Sequence, residues 1–268
     1  MRDRVPILFT TGMYAGTLHI FRFNEKTDGE VAIPCGRVGR GFWYDANGNG
    51  RPEDGETQSG EFGGWGLHVD AQGDIWTTAK GISHLPLRGL DEHGTPVYQI
   101  DKIKTEAVPA PFHNIERLIY DSDKDVMFLG GNTKDYRVKD WGLIGGAIGC
   151  YDKWSQGNRK AKWIVPTDQK VGLPKAMTQA GNYLFISFHH RGGNVICHVH
   201  QTSTGKLVDT LVPEGLGGID KVGDSDVPYA IRAYQRKEGD FLIFLEENRN
   251  AKNILFRWHP TDDKVVPK

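Results

Sequence analysis

The stretch from Asp45 to Glu56 contains the residues whose types and spacing most clearly suggest chemistry. It reads DANGNGRPEDGE and places oxygen-bearing side chains at alternate positions of a glycine-rich turn. Alternate residues of a tight turn can point inward together, and a carboxylate further along can fold back onto them. Calcium takes six to eight oxygen ligands at about 2.3–2.6 Å. The spacing therefore predicts a calcium site, and the alternative is a Gly/Asn turn with incidental acidic residues.

The same spacing resembles the calcium loop of EF-hand proteins, D-x-[DN]-x-[DN]-G-x5-E. This resemblance implies side-chain ligands at loop positions one, three, five, nine and twelve, and a backbone carbonyl ligand at position seven. The implied ligands are Asp45, Asn47, Asn49, Arg51, Glu53 and Glu56, with Gly50 at the sharp turn. The implied cofactor is Ca²⁺.

The loop also departs from the EF-hand pattern. Position eight is Pro52, where an apolar residue would pair with a second loop, and the flanking segments GFWY and GGWG are not helical. We therefore expect an isolated structural loop inserted between two repeats. Asn47 and Asn49 in place of aspartates lower the charge of the site and predict weak affinity. Weak affinity suits a calcium-rich space, so an extracellular or periplasmic location is expected.

An internal repeat organises the rest of the chain. Four stretches share a short strand, a polar turn and a more apolar strand, and they start at Gly64, Asn114, Leu173 and Val227. Their spacing of about 50 to 60 residues is typical of propeller blades. Third and fourth strands with alternating or more polar character follow them. We therefore predict an all-β fold, a single β-propeller domain of about five four-stranded blades over residues 1–268.

The first blade is expected to be incomplete. Segments beginning at Val5, Gly16 and Gly29 match the second, third and fourth strands of a blade, so the first blade lacks its inner strand. Either the chain is the C-terminal part of a longer protein or another segment supplies the missing strand. The first alternative is favoured, because the terminal TDDKVVPK is expected to form the last strand of the last blade. An unpaired edge in the first blade would invite association with another chain.

The second strands of two blades carry the motifs G-D-I-W at Gly73–Trp76 and G-N-Y-L-F at Gly181–Phe185. With this layout the chain resembles the NHL-like and lactonase-like propeller superfamily. The resemblance covers nearly the whole chain at the level of the fold. It implies an architecture and little chemistry.

A ligand site is expected where the inner strands begin, because the loops entering these strands gather around the central channel of a propeller. The candidate residues there are Trp65, His113, Tyr229 and Arg232. Aromatic rings supply stacking area and a guanidinium supplies a planar fork for a carboxylate, so the set suits an acidic saccharide. The alternative is that these side chains only fill the channel mouth.

Two functions follow from this interpretation. The first is a calcium-stabilised, exported binding module or scaffold for a polysaccharide or a protein partner, within a larger chain or complex. The second is a polysaccharide lyase or hydrolase that uses His113, Tyr229 and Arg232. The absence of G-x-S-x-G and H-E-x-x-H motifs favours the first.

Composition excludes other classes of function. The 33 basic and 34 acidic side chains nearly cancel, and neither sign gathers in one half, so no nucleic-acid-binding face is expected. No run of about 18 apolar residues is present, so no membrane span is expected.

Cys35, Cys150 and Cys197 lie in apolar runs and are expected to be buried thiols. His198 and His200 alternate along one strand, and a structural role is favoured over a metal site.

Overall fold

The computed structural model describes residues 5–12, 16–138, 144–167, 170–190, 195–218, 221–222, 231–247 and 252–260. Nearly all regular structure in these residues is β-strand. Three 3-10 helices of three residues also occur among them, at Ile100–Lys102, Trp154–Gln156 and Glu214–Leu216. No helix in the described part of the chain has the length and apolar character needed to cross a membrane.

The chain forms two compact units. The first comprises Met1–Val108 with Tyr120–Lys124, and the second comprises Pro109–Ile119 with Asp125–Lys268. The prediction of a single domain over residues 1–268 stays a prediction.

The first unit contains two four-stranded antiparallel sheets and a hairpin. The first sheet has the order β1-β2-β3-β4, with strands Ile7–Thr11, Leu18–Arg22, Ile33–Tyr44 and Thr57–Glu61. The second has the order β10-β7-β6-β5, with β5 to β7 at His68–Val69, Ile75–Thr77 and Ile82–Leu85, and β10 at Lys104–Glu106. The hairpin consists of β8 (Leu87–Leu90) and β9 (Pro96–Tyr98).

Residues of the second unit form most of the other three sheets. The third sheet, β11-β12-β13-β14, comprises Phe112–Asp121, Val126–Thr133, Ala147–Asp152 and Trp163–Pro166. The fourth, β15-β16-β17-β18, comprises Gly172–Ala180, Tyr183–His190, Cys197–Gln201 and Leu207–Leu211. The fifth, β19-β20-β21, comprises Ile231–Gln235, Phe241–Glu247 and Lys252–Trp258.

Alternating apolar residues explain why neighbouring sheets stack. Successive side chains of a strand point to opposite faces, so an alternating strand presents one apolar face to its neighbour. In the first unit, Leu18 and Ile20 of the first sheet pack in one cluster with Ile75 and Leu85 of the second. In the second unit, one cluster joins the third and fourth sheets and another joins the fourth and fifth.

Five antiparallel sheets in which strands follow one another in chain order are propeller blades, so the predicted all-β propeller class is confirmed. The four repeats found in the sequence are the hairpins β5–β6, β11–β12, β15–β16 and β19–β20. The fifth sheet has three strands within the described residues. The terminal segment TDDKVVPK, expected to be its fourth strand, lies outside them.

The first sheet differs from the prediction in one strand. This sheet has four strands, so the expectation that the first blade is incomplete and lacks its inner strand is wrong. Its β1, β2 and β3 are the three strands found in the sequence, and β4 was missed. β4 pairs with β3, and no described strand pairs with the other edge of β1. The loop from Asp45 to Glu56 therefore connects two strands of the same sheet, which corrects the expectation that it is inserted between repeats. All five residues of β4 are exposed, so the strand lacks the alternation that reveals a strand in sequence.

Candidate functional site

The predicted calcium loop is the closed end of the β3–β4 hairpin in the first unit. It begins where β3 ends at Tyr44, and Thr57 begins β4 directly after Glu56. Gly48 and Gly50 have φ angles of 74° and 76°, a left-handed conformation that strongly favours glycine. These two glycines allow the chain to double back within a few residues.

Asp45 anchors the start of the loop from inside the protein. Its side chain is fully buried, and both carboxylate oxygens accept the Gly50 N–H at 3.2 Å. The buried Arg22 guanidinium on β2 lies 3.5 Å from Asp45 Oδ2 and donates to the Gly48 carbonyl at 2.6 Å. A buried charge requires a partner. Arg22 supplies that partner and also holds the middle of the loop.

Asn47 and Asn49 stabilise the turn with their side-chain oxygens. Asn47 Oδ1 accepts the Asn49 N–H at 3.0 Å, and Asn49 Oδ1 accepts the Arg51 N–H at 2.8 Å. Such side-chain to backbone bonds, two residues apart, are Asx turns. They place oxygen atoms at alternate positions of the loop, as the sequence spacing predicts.

Glu56 folds back onto the beginning of the loop. Its Oε1 accepts the Ala46 N–H at 3.0 Å, and its Oε2 accepts the Glu53 N–H and the Trp43 indole N–H, each at 3.2 Å. The hydrogen bond from Trp43 is the main cause that lowers the pKa of Glu56, and the two backbone N–H groups act in the same direction. Glu56 is therefore ionised at neutral pH.

Glu53 links the middle of the loop. Its carboxylate accepts hydrogen bonds from Asn47 Nδ2 at 2.8 Å and from Asn49 Nδ2 at 2.9 Å. Three of the four carboxylates of the loop, those of Asp45, Glu53 and Glu56, and both of its amides thus take part in hydrogen bonds within the loop. Arg51 contributes its backbone N–H to this network, and the role of its carbonyl as a ligand stays a prediction.

The hairpin β8–β9 braces the loop from the side. The Tyr44 hydroxyl donates to Asp91 Oδ2, and burial together with this bond raises the pKa of Tyr44. Asp91 Oδ1 in turn accepts the N–H groups of His93 and Thr95 at 2.9 and 2.8 Å. A Cβ at Gly48 would lie 2.7 Å from the His93 ring, so the two turns are in close contact.

The donor atoms of the loop are of the kind that suits a calcium ion. Carboxylate and amide oxygens are the ligands that calcium prefers, and the loop offers no sulfur or imidazole ligand. In their present positions, however, the side chains bond to one another. Across the described residues, no three His, Cys, Asp or Glu side chains form a group that could hold a metal ion. The predicted ligands are therefore brought together in one loop, and calcium binding by them stays a prediction.

The four candidate ligand residues lie in different parts of the chain. Trp65 belongs to the first unit and is half-buried, whereas His113 and Arg232 belong to the second and are exposed. Tyr229 lies outside the described residues. A shared site formed by these four residues stays a prediction.

The cysteine and histidine predictions agree with the structure. Cys35, Cys150 and Cys197 are free and buried, and burial raises the pKa values of Cys35 and Cys150 to about 12, so neither is a ready nucleophile. His198 and His200 are buried, and His200 Nδ1 lies 3.0 Å from the Gly205 carbonyl oxygen. Both belong to the packed interior, which supports a structural role.

Comparison with known proteins places the chain by its fold alone. No family model matches it, and no curated protein matches its sequence. Its structure is similar to that of Sqt1 from Saccharomyces cerevisiae, with a TM-score of 0.50 and 10% identity over 97% of this chain and 70% of that chain. Hsv2 from Kluyveromyces marxianus is similar with a TM-score of 0.47 and 11% identity, covering 96% of this chain and 71% of that one. At such low identity the likeness to Sqt1 supports the propeller fold and no particular chemistry. The finer assignment to the NHL-like and lactonase-like superfamily stays a prediction.

Sequence reasoning missed the residues that surround the loop. Arg22 precedes Asp45 by 23 positions and lies on another strand, and Asp91 follows Tyr44 by 47 positions. Neither spacing belongs to a local motif. Trp43 lies two positions before the loop and could have been suspected, because an indole N–H near a carboxylate is a natural hydrogen-bond donor.

Proposed function

We propose that this chain is a calcium-stabilised β-propeller module that binds a partner, with Ca²⁺ held by the loop from Asp45 to Glu56. The observation that carries the proposal is the return of Glu56 to the start of the loop, where it accepts the Ala46 N–H at 3.0 Å. This return brings carboxylates from both ends of the twelve-residue segment into one hydrogen-bonded turn. An ion that bound both ends would hold the β3–β4 hairpin closed.

The surroundings of the loop support selective binding of a hard cation. The backbone already holds Asn47 Oδ1, Asn49 Oδ1 and the Asp45 carboxylate in place through N–H donors, so little ordering is required when an ion binds. Pre-ordering of this kind raises affinity because less conformational entropy is lost. Arg22 lowers the calcium affinity, because its guanidinium already compensates the charge of Asp45. Both the two asparagines and Arg22 favour weak affinity, which is the basis for proposing an exported protein.

The proposed partner is a polysaccharide or a protein. The exposed side chains of His113 and Arg232 are accessible for such a contact. The buried, high-pKa thiols of Cys35 and Cys150 give no support to covalent catalysis. A binding role is therefore preferred to the enzymatic one.

Equilibrium dialysis against calcium tests the proposal. Protein stripped with chelator should take up one calcium ion per chain, and magnesium should compete poorly because it prefers a smaller octahedral cage. Glu56→Gln should lower the calcium affinity at least about tenfold, because a carboxylate ligand is lost. The glutamine oxygen can still accept the Trp43 and Glu53 N–H groups that now bond to Oε2, and only the hydrogen bond from the Ala46 N–H is lost, so the loop should remain folded.

Glu61→Gln is the matched control. Glu61 is an exposed glutamate on β4, just beyond the loop, and its replacement should leave calcium uptake unchanged. Absence of calcium uptake by the wild-type protein at millimolar calcium would refute the proposal. Equal losses in the two variants would show that the ion binds elsewhere.

A further inference from the structure

The chain contains two Asn-Gly sequences, Asn47-Gly48 and Asn49-Gly50, and both lie in the loop from Asp45 to Glu56. In an Asn-Gly sequence the backbone nitrogen of the glycine can attack the asparagine side chain readily, because glycine has no Cβ to hinder the approach. The reaction is a spontaneous loss of ammonia that needs no enzyme. These two sequences are therefore the positions of the chain that are most open to this modification.

The two asparagines are closely matched in their surroundings. Both are exposed, and each is followed by a glycine in the left-handed conformation, with φ angles of 74° and 76° at Gly48 and Gly50. Each side-chain oxygen accepts the N–H two residues ahead. Each side-chain nitrogen donates to Glu53, at 2.8 Å from Asn47 and at 2.9 Å from Asn49. A difference in reactivity between the two therefore has to come from the attacking backbone nitrogen.

The two attacking nitrogens differ in their hydrogen bonds. The Gly50 N–H donates to both carboxylate oxygens of Asp45 at 3.2 Å, and Asp45 is buried. The Gly48 N–H has no hydrogen-bond acceptor among the residues that the structure describes. Attack requires the peptide plane to turn until its nitrogen faces the asparagine side chain, and a charge-assisted hydrogen bond resists this turn. The nitrogen of Gly50 is therefore held in place, whereas the nitrogen of Gly48 is not.

We propose that Asn47 is a site of spontaneous deamidation and that Asn49 is protected from it. The Gly48 nitrogen loses its proton and forms a bond with Cγ of Asn47, the bond from Cγ to Nδ2 breaks, and ammonia leaves with that proton. Water opens the resulting cyclic succinimide at either carbonyl, which gives aspartate or isoaspartate. No oxidant, reductant or cofactor takes part.

Conversion of Asn47 to aspartate changes the electrostatics of the loop. The Nδ2 atom donates to Glu53 Oε2 at 2.8 Å, and the product has a carboxylate oxygen in its place. Two carboxylates in contact repel each other, and a cation between them relieves the repulsion. The aspartate product should therefore bind calcium more tightly than the unmodified loop. This consequence rests on the proposed function, whereas the reaction itself does not.

Peptide mapping by mass spectrometry tests the proposal on the full chain, incubated at neutral pH with chelator present. Asn47 should be converted at least about tenfold faster than Asn49, because one hydrogen bond to a charged acceptor accounts for about that factor. Fragmentation of the peptide assigns the gain in mass to one residue or the other. Equal rates, faster conversion of Asn49, or no conversion of Asn47 would overturn the proposal.

The unfolded chain supplies the matched control. In urea neither glycine nitrogen is bonded to Asp45, so the two asparagines should be converted at similar rates. Gly48→Ala is unsuitable as a control, because a Cβ there would lie 2.7 Å from the His93 ring. An equally strong preference for Asn47 in urea would show that the local sequence causes it, and this result would overturn the proposed protection of Asn49 by the fold.

Equilibrium dialysis of Asn47→Asp tests the consequence for calcium. The variant should bind calcium about tenfold more tightly than the wild-type protein, because the affinity of such loops rises with the number of charged ligands. A variant that binds no more tightly than a calcium-binding wild type would overturn the consequence. If neither protein takes up calcium, the proposed function fails, and the rates measured in chelator still decide whether Asn47 is the modification site.

Discussion

Asp45 carries the most completely buried charge of the loop. Its carboxylate has no exposure, and Arg22 compensates it at 3.5 Å. Removal of one partner from a buried ion pair is strongly destabilising because the other charge stays in the interior. Arg22 therefore stabilises the loop in the absence of an ion, and calcium would have to bind beside an existing positive charge. This arrangement gives a physical reason for the weak affinity expected from Asn47 and Asn49.

His200 leads to a prediction about pH at the residue scale. Burial lowers the pKa of His200 below its usual value of 6.5. The unfolded chain therefore binds more protons than the folded chain below about pH 6.5. The stability associated with the neutral ring is fully present above that pH, and it is lost as pH falls toward the folded pKa.

Urea unfolding between about pH 5 and pH 8 measures this effect. His200→Asn keeps a donor near the Gly205 carbonyl but cannot titrate, so its free energy of unfolding should fall less steeply at acid pH. The difference in slope should have this sign and should not exceed about 1.4 kcal/mol per pH unit, the value for one proton. His19→Asn, at an exposed position on β2, should keep the wild-type slope. Parallel curves for wild type and His200→Asn would contradict the prediction.

At the scale of elements, the β3–β4 hairpin depends on the neighbouring β8–β9 hairpin. Asp91 accepts the Tyr44 hydroxyl with one oxygen and two backbone N–H groups of its own turn with the other. Asp91→Ala leaves all three donors without this acceptor. We expect it to lower the free energy of unfolding by about 2 kcal/mol.

The adjacent residue supplies the control for Asp91. The Glu92 side chain is 87% exposed, and Glu92→Ala should change stability by less than about 0.5 kcal/mol. Chemical denaturation with chelator present separates this effect from any bound ion. Equal effects of the two substitutions would show that the hydrogen bonds of Asp91 between the hairpins contribute little to the free energy of unfolding.

The sequence predicted the elements that repeat and missed those that do not. The hairpin β15–β16 has an apolar second strand and a glycine turn at Gly181. The apolar strand recurs in the other repeats, and the glycine recurs as Gly73 and Gly239, whereas Asp125 takes the left-handed conformation in the hairpin β11–β12. β4 is exposed along its whole length, so it shows no alternation. Among the described residues, an additional hairpin such as β8–β9 occurs only between the strands of the second sheet, so it has no repeat that could reveal it.

The same reasoning applies to the candidate site. The six loop residues are contiguous, so their spacing could be read directly from the sequence. The residues that hold the loop could not be read in this way. Arg22 and Asp91 reach it through strand pairing and hairpin packing, which bring together residues 23 and 47 positions apart.

At the scale of the whole molecule, the five-bladed propeller class follows from strand order and is supported by the likeness to Sqt1 at a TM-score of 0.50. At 10% identity this likeness carries no information about ligands. The function of the molecule therefore has to be argued from its own surfaces. The loop from Asp45 to Glu56 is the part of the molecule that supports the proposed function.

The central claim is that calcium stabilises this propeller through the loop. Differential scanning calorimetry of the wild-type chain, with calcium and with excess chelator, tests it most directly. Calcium at about 100 times its dissociation constant should add about 2.7 kcal/mol to the free energy of unfolding, which corresponds to a rise in Tm of about 5 °C if the whole chain unfolds cooperatively. The rise should disappear in Glu56→Gln and persist in Glu61→Gln. Superimposable melting curves of the wild-type protein in calcium and in chelator would contradict the claim.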